Sequence, residues 1–209
     1  MLLEGKVGPV AAADQTVNEL RLTKDTAVVT QHAHARYQEA VYRGSVFSAA
    51  NQASQALTAV GTAMTGFVLY NPINSGKNLV LWEVDIALSA AVAGTASAQV
   101  ISLAGAVGPN VAAPTSTTAL TIVNNLLNPA STAVAKAYST STTVGVTPTI
   151  IKPLFGLQAA TAVGLAIFQF DDEIAGQIVI PPGVFVCLAF TGGAAPSAIS
   201  SMTWEEIPI

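Results

Sequence analysis

The two histidines of this sequence lie close together near its start and are the first candidates for metal chemistry. His32 and His34 are two residues apart, so in an extended segment both imidazoles would point to one side, where they could bind a metal ion. No acid or cysteine lies beside them to complete a site. We therefore predict a solvated segment here rather than a metal centre.

Two further motifs could bind a ligand. Asp171-Asp172-Glu173 offers the oxygen ligands that calcium prefers, but it lacks the alternating spacing and the glycine of a calcium-binding loop. Gly76-Lys77 is similar to the end of a phosphate-binding loop, yet Asn71 stands where that loop needs glycine and Asn78 where it needs serine or threonine. We predict a charged turn at the acidic run and no phosphate site at Lys77.

Nucleophilic catalysis has no support in the sequence. The single cysteine, Cys187, lies in an apolar run over residues 184–190, where it is expected to act as a small apolar side chain and can form no internal disulfide. No serine occupies a Gly-x-Ser-x-Gly elbow, and both histidines lie in the N-terminal segment, so neither serine nor Cys187 has an evident base. We predict a protein that is not an enzyme and that has no cofactor and no metal.

The charges are unevenly distributed. Half of the twenty charged residues fall within the first fifty positions, and none lies between Asp85 and Lys136. Charged residues make up 10% of the chain and apolar residues 51%, which predicts that part of the surface is buried in an oligomer. The net charge of −4 and the lack of clustered lysine and arginine argue against a nucleic-acid partner.

Neither a membrane span nor a signal peptide is expected. The long uncharged stretch is interrupted by serine, glycine and proline, so it does not reach the roughly 20 consecutive apolar residues that a spanning helix needs. Glu4 stands where a signal peptide would carry a basic region. We expect synthesis in the cytoplasm.

The chain predicts one domain with an N-terminal arm. Residues 1–50 are read as the arm, residues 51–65 as a flexible connector and residues 66–209 as a β domain. Within the arm, apolar and aromatic residues recur every four positions over residues 33–50, which predicts one short amphipathic helix. Gly44 is expected to end that helix.

The β domain is predicted from residues that alternate between apolar and polar. In Asn78–Leu88, Val80, Trp82, Val84, Ile86 and Leu88 share one face, while Leu79, Leu81, Glu83, Asp85 and Ala87 share the other. Further strands are predicted at 67–70, 164–170, 177–180, 184–190 and 199–207, and strands at such short intervals favour a β-sandwich or jelly roll. The segments at 67–70 and 78–88 would form a hairpin or cross between sheets. Residues 105–153 are predicted to form long loops or irregular strands that face a partner.

Several of these segments resemble jelly-roll structural proteins of tailed-phage particles. The similar segments are Asn71–Leu79, Gly176–Gly183 with the apolar strand that follows, and Trp204–Pro208, together with Ala35–Ala40 in the arm. The resemblance covers roughly residues 65–209 and its motifs are structural rather than catalytic.

This resemblance implies a homotrimeric cement, or decoration, protein on the outer surface of a capsid, with the major capsid protein as its partner. The arm would bind the capsid, through the following candidate residues: Arg21, Lys24, Arg36, Tyr37, Tyr42 and Arg43. Two alternatives stay open. A tail, baseplate or head-fibre component would recognise a host glycan through aromatic side chains in residues 105–153, where only Tyr138 is aromatic. A secreted trimeric module of the tumour-necrosis-factor type is disfavoured by the absence of a signal peptide and disulfides.

Overall fold

The structure of the protein is almost entirely built from strands. The computed structural model describes residues 5–6, 20–21, 37–90, 98–108, 112–116, 118–127, 131–158, 169–192 and 195–209. The all-β class predicted from the sequence is confirmed. The chain forms two compact units, residues 1–39 and residues 40–209.

The elements are numbered along the chain. They are β1 (Gly5–Lys6), β2 (Leu20–Arg21), α1 (Gln38–Tyr42), β3 (Val46–Ala50), β4 (Gln55–Ala56), β5 (Ala63–Met64), β6 (Val68–Asn71), β7 (Lys77–Ala90), β8 (Ala98–Gly105), β9 (Ile122–Asn124), β10 (Lys136–Tyr138), β11 (Thr142–Thr143), β12 (Thr149–Gln158), β13 (Gln169–Ile180), β14 (Val184–Thr191) and β15 (Ser197–Pro208).

In the first unit, the described residues before Tyr37 form one small pair of strands. Strands β1 and β2 run parallel, with Gly5 opposite Leu20 and Lys6 opposite Arg21. The predicted histidine pair, His32 and His34, lies outside the described residues.

Helix α1 is shorter than the sequence predicts. It ends at Tyr42 because the chain turns at Gly44, whose φ of 68° is a conformation that glycine adopts without strain. The N–H of Gly44 donates to the carbonyl of Val41 and the N–H of Ser45 to that of Ala40, which is the Schellman pattern of a helix C-terminus. Gly44 therefore ends the helix as predicted, but the following residues form strand β3 rather than more helix.

In the second unit, eight strands pair in a nested order. Numbered by position along the chain, the first strand pairs with the last (β3 with β15), the second with the seventh (β6 with β14), the third with the sixth (β7 with β13) and the fourth with the fifth (β8 with β12). All these pairs are antiparallel. The eight strands belong to two sheets, ordered β13-β7-β15-β3-β9 and β10-β6-β14-β8-β12.

Turns carry the chain from one sheet to the other. β6 and β7 lie in different sheets, so the turn at residues 72–76 crosses between sheets and does not close a hairpin. The Pro181-Pro182-Gly183 turn likewise leads from β13 to β14 in the other sheet, with the N–H of Val184 donating to the carbonyl of Pro181. Tandem prolines suit this position because they cannot donate to a continuous strand ladder.

The predicted faces of β7 are wrong because the strand contains a bulge. The neighbouring strand β15 places Thr203 opposite Glu83 and Trp204 opposite Leu81, so Trp82 is an extra residue that inverts the alternation. Before the bulge the odd-numbered residues of β7 face the core, and after it the even-numbered residues do. The core-facing side chains are all fully buried: Leu79, Leu81, Val84 and Ile86.

The predicted charged turn at Asp171–Glu173 is also wrong. These residues lie within β13, where Asp171 pairs with Asp85 and Glu173 with Glu83 of β7. The chain instead departs from regular strand pairing in the next four residues, where the register with β7 shifts between Glu173 and Ile178. Ala175 and Gly176 have φ angles of 53° and 80° within this bulge.

Strand β14 lies at the centre of the core. Its residues from Val184 to Phe190 are buried on both faces, as the sequence predicted. Both faces of β14 are therefore covered. Buried side chains of the same core cluster also come from outside the two main sheets: Leu57, Met64, Phe67, Ala135 and Val144. Residues 51–67 and the segment between β8 and β12 supply these side chains.

The compact unit begins earlier than residue 51, where the sequence predicted the end of the arm. Strand β3 belongs to the larger sheet, and the boundary between the units falls after residue 39. Within the predicted connector, β4 pairs with β15 and β5 with β11. The segment between β8 and β12 contains the short strands β9, β10 and β11, which agrees with the irregular strands that the sequence offered as an alternative to long loops. No helix in the described part of the chain is both long and apolar enough to cross a membrane.

Candidate functional site

The residues predicted to bind a capsid are only partly described. Arg21 lies in β2, and Lys24 and Arg36 fall outside the described residues. Tyr42, which is 61% exposed, and Arg43 lie at the C-terminal end of α1. Tyr37 is half-buried before that helix. The structure therefore describes the side-chain environment of only these three of the six candidates.

Four carboxylates form an acidic ladder across β7 and β13. The register pairs Glu83 with Glu173 and Asp85 with Asp171, so like charges lie directly opposite each other. Burial raises the pKa of the Glu83 carboxyl, and the charges of Asp85, Asp171 and Glu173 raise it further. Ser201 donates its hydroxyl to Asp85 at 2.6 Å. The ladder therefore costs stability wherever its carboxylates are ionised.

We expect the Glu83→Gln variant to unfold at a higher urea concentration than the wild type at pH 7. Its free energy of unfolding should be higher by about 0.2–1 kcal/mol. The pKa of Glu83 is higher in the folded than in the unfolded protein, so its ionisation destabilises the fold above both pKa values. The gain should therefore shrink as the pH falls and vanish below the ordinary glutamate pKa. Glu205→Gln is the matched control, because its carboxyl lies outside the ladder and accepts a hydrogen bond from Ser45. An equal gain in both variants, or a gain that persists at low pH, would contradict this explanation.

The other motifs considered in the sequence stabilise the fold: Lys77 and Asp172 form ion pairs, and Cys187 is buried in the core. Lys77 begins β7 and its amine lies 3.0 Å from the buried carboxylate of Glu206, so the glycine before it forms a turn and not a phosphate loop. Asp172 pairs with Lys152 at 2.6 Å, which joins the edge strands β13 and β12. Burial raises the pKa of the Cys187 thiol to about 12, so this residue stays a neutral thiol within the core.

An apolar groove is lined by residues of β9 and β10 and by Phe47 of the hydrophobic core. We call it the β9–β10 groove. Its volume is about 590 Å³, and it is lined mainly by apolar side chains from residues 119–138, with Phe47 of β3. Phe47, Ala135 and Ala137 are its most buried lining residues, whereas Val123 and Leu127 are exposed at its rim. The groove therefore leads from the surface to the edge of the hydrophobic core.

One wall of the groove is held by a buried carboxylate. The side chain of Glu206 is fully buried and forms an ion pair with Lys77. Its carboxylate also accepts hydrogen bonds from the backbone N–H of Val134 at 2.9 Å and of Ala135 at 3.1 Å. We call this cluster the Glu206 anchor. It fixes residues 133–135 against the end of β15, and Ala133 and Ala135 line the groove.

A second part of the groove lining is held by the carbonyl of Gly44, which follows α1. Asn124 donates its side-chain amide to the Gly44 carbonyl at 2.8 Å, and the Ser131 hydroxyl donates to the same oxygen at 2.9 Å. The Asn124 side-chain oxygen in turn accepts the N–H of Leu126 at 2.9 Å, which shapes the turn after β9. Both parts of the lining are therefore positioned by hydrogen bonds of the protein itself.

Polar groups at the groove are few. Lys136 is exposed and lines both the groove and a neighbouring cleft of about 580 Å³ that contains Tyr70 and Ile73. Tyr138 is half-buried in the groove wall, and burial raises the pKa of its phenol, with a smaller contribution from Tyr70. Lys77 and Lys152 are ion-paired, but among the residues that the structure describes no carboxylate pairs with Lys136.

No known protein family, curated protein or solved structure matches this chain. The functional assignment therefore depends on the fold and on the chemistry of its surfaces. Within the described ranges, no group of three or more histidine, cysteine, aspartate or glutamate residues is arranged to hold a metal ion.

Sequence reasoning missed both the groove and the Glu206 anchor. It identified residues 105–153 as a partner-facing region, and the groove does arise from that segment, but the strands that form it are too short to show periodicity. Met202, Trp204 and Glu206 occupy alternate positions of β15, and all three are buried. This alternation could have indicated the Glu206 anchor, since a glutamate at a core-facing strand position requires hydrogen-bond or ion-pair partners.

Proposed function

We propose that this protein is a non-enzymatic virion structural protein, a trimeric cement protein that binds the outer surface of a capsid and stabilises the shell. In this function the β domain forms the body of the trimer and the N-terminal arm contacts major capsid subunits. The trimer would bridge junctions between neighbouring capsomers. Contacts repeated over a symmetric shell would add many weak interactions that must break before the shell opens.

The strand order is the observation that carries this proposal. We further propose that the eight nested strands are a jelly roll, an architecture of two sheets and two Greek keys that is common among capsid proteins. Support comes from the pairing of first with last, second with seventh, third with sixth and fourth with fifth strand, because a long antiparallel hairpin that winds into two sheets generates this order.

The ionisable groups also favour a structural function. Glu206 and Asp172, with their lysine partners, join elements of the fold. Ser45 and Glu205 link the end of α1 to β15 through a 3.0 Å hydrogen bond. Many of the charges in the second unit are thus engaged in tertiary contacts.

A glycan-binding tail component has weaker support. Such a site needs aromatic faces on which sugar rings can stack, but among the described residues Tyr138 is the only aromatic side chain at the groove besides the buried ring of Phe47. The remaining walls are mainly aliphatic.

We expect deletion of residues 1–39 to leave a folded trimer that no longer binds capsids. The second unit keeps all its strands in this variant, because the boundary between units precedes β3. Light scattering should give three times the mass of one chain for both proteins, 21.2 kDa per chain at full length. Co-sedimentation with empty capsids of the source virus should retain only the full-length protein.

A triple variant of Arg21, Lys24 and Arg36 to glutamine provides a matched test of the arm, because it removes charge and keeps length. Weaker co-sedimentation of this variant would support the assignment of these residues. Full binding by the deletion variant would refute a capsid-binding arm, and a monomer would refute the trimer.

A further inference from the structure

The β9–β10 groove has the size and surface of a small-molecule site. Its volume of about 590 Å³ lies within the range of roughly 300–1,000 Å³ that ligand pockets span. Such pockets combine mainly apolar walls with a few polar groups that orient the ligand. Here the lining is mainly apolar, and its polar residues are Asn124, Ser131, Thr132, Lys136 and Tyr138.

The apolar part suits a flexible hydrocarbon chain. The lining contains short aliphatic side chains, among them Ala119, Leu120 and Ile122, and it reaches the fully buried Phe47. A narrow aliphatic channel can enclose methylene groups, and each buried methylene raises affinity about 4-fold. A sugar or nucleotide would leave hydroxyl groups against these walls without hydrogen-bond partners.

Lys136 determines the charge of the ligand. The other two lysines of the second unit, Lys77 and Lys152, each have a carboxylate partner, whereas within the described ranges Lys136 has none. Lys136 lines the groove beside the apolar residues Ala135 and Ala137. An anion at the end of an apolar chain would complement both features at once.

The groove is also preformed. The Glu206 anchor holds one part of the lining and the Gly44 carbonyl holds another through Asn124 and Ser131. A ligand would therefore not have to order these walls, which removes one of the main costs of binding.

We propose that the β9–β10 groove binds a single-chain fatty acid, with the hydrocarbon chain between β9 and β10 and the carboxylate at Lys136. This inference is independent of the proposed capsid function. It rests on the volume and aliphatic lining of the groove and on the one lysine of the second unit that lacks a carboxylate partner among the described residues.

Calorimetric titration of the full-length protein with sodium dodecanoate, kept below its micelle concentration, tests the proposal. We expect saturable binding of one dodecanoate per chain. Decanoate should bind about 15-fold more weakly if both additional methylenes of dodecanoate are buried. Dodecyltrimethylammonium, which has the same chain and a positive charge, should bind more weakly than dodecanoate.

Matched variants locate the site. Ala119→Trp should abolish binding, because Ala119 is an exposed lining residue whose enlargement fills the groove. Ala113→Trp is its control, since Ala113 is an exposed alanine that lines only the neighbouring cleft. Lys136→Gln should weaken dodecanoate binding by up to about 5-fold, the range of an exposed ion pair, and Lys152→Gln should leave it unchanged.

Thr132→Trp offers a second obstruction of the groove from another segment, in case Ala119→Trp does not fold. In the wild-type protein, nuclear Overhauser effects between dodecanoate and the side chains of Leu120 and Tyr138 should confirm the location. Absence of saturable dodecanoate binding would overturn the proposal. So would full affinity in a folded Ala119→Trp or Thr132→Trp variant, or equal affinity for the cationic amphiphile.

Discussion

Replacing Glu206 with alanine is expected to lower the free energy of unfolding by about 3–5 kcal/mol, because it removes one partner of a buried charge network. The Glu206 side chain is fully buried, with its ion pair to Lys77 at 3.0 Å. Its carboxylate also accepts the backbone N–H groups of Val134 and Ala135. The variant would leave these donors without their acceptor and would open a cavity at the end of β15.

Urea unfolding of Glu206→Ala beside Glu205→Ala measures this effect. Glu205 is the adjacent glutamate on the same strand, but it is only half-buried, and its carboxylate accepts a hydrogen bond from the Ser45 hydroxyl. We expect Glu205→Ala to cost about 0.5–1.5 kcal/mol. Glu206→Gln keeps an acceptor oxygen and should lie between the two. Equal losses in the two alanine variants would contradict the role of the Glu206 anchor.

The second large effect is expected at Trp204. Trp204→Ala should cost about 3–5 kcal/mol, the usual range for a large aromatic side chain in a core. Its indole is fully buried and stacks on Phe47, with 6.4 Å between ring centroids. Among the described residues, however, the indole N–H has no hydrogen-bond partner. An unpaired buried donor costs about 1–3 kcal/mol, so Trp204→Phe should lose volume but also remove that cost.

We therefore expect Trp204→Phe to lie within about 1 kcal/mol of the wild type, far from the alanine variant. Thermal unfolding of Trp204→Phe and Trp204→Ala beside the wild type measures the stability lost in each variant. A loss of 3 kcal/mol or more in Trp204→Phe would mean that the indole N–H has a partner in solution and would contradict this account.

The sequence predicted the strands whose residues are apolar on a regular pattern. Strand β14 was recognised because residues 184–190 are almost continuously apolar, and β15 was predicted at residues 199–207. Both lie at the centre of a sheet, where burial imposes the pattern most strongly.

Bulges account for the errors in the other long strands. Trp82 adds one residue to β7, so the predicted faces exchange at that point. Residues 174–177 form an insertion in β13, and the acidic run before them looked like a turn because charged residues are common in turns. A bulge depends on the partner strand, which a local pattern does not contain.

The groove and its anchors could not be predicted because they depend on contacts between distant parts of the chain. Glu206 binds residues 134 and 135, and Asn124 binds Gly44, so each wall joins segments more than 70 residues apart. The sequence identified the region of the groove only as a segment too long to be a simple loop.

The most direct test of the central claim is the temperature at which DNA-filled particles of the source virus release their DNA, with and without the purified protein. If the protein is a cement, particles lacking it should release DNA at a lower temperature, and adding back the full-length chain should restore the higher value. The variant lacking residues 1–39 should not restore it. An unchanged release temperature after saturating addition of the full-length protein would contradict the proposed function.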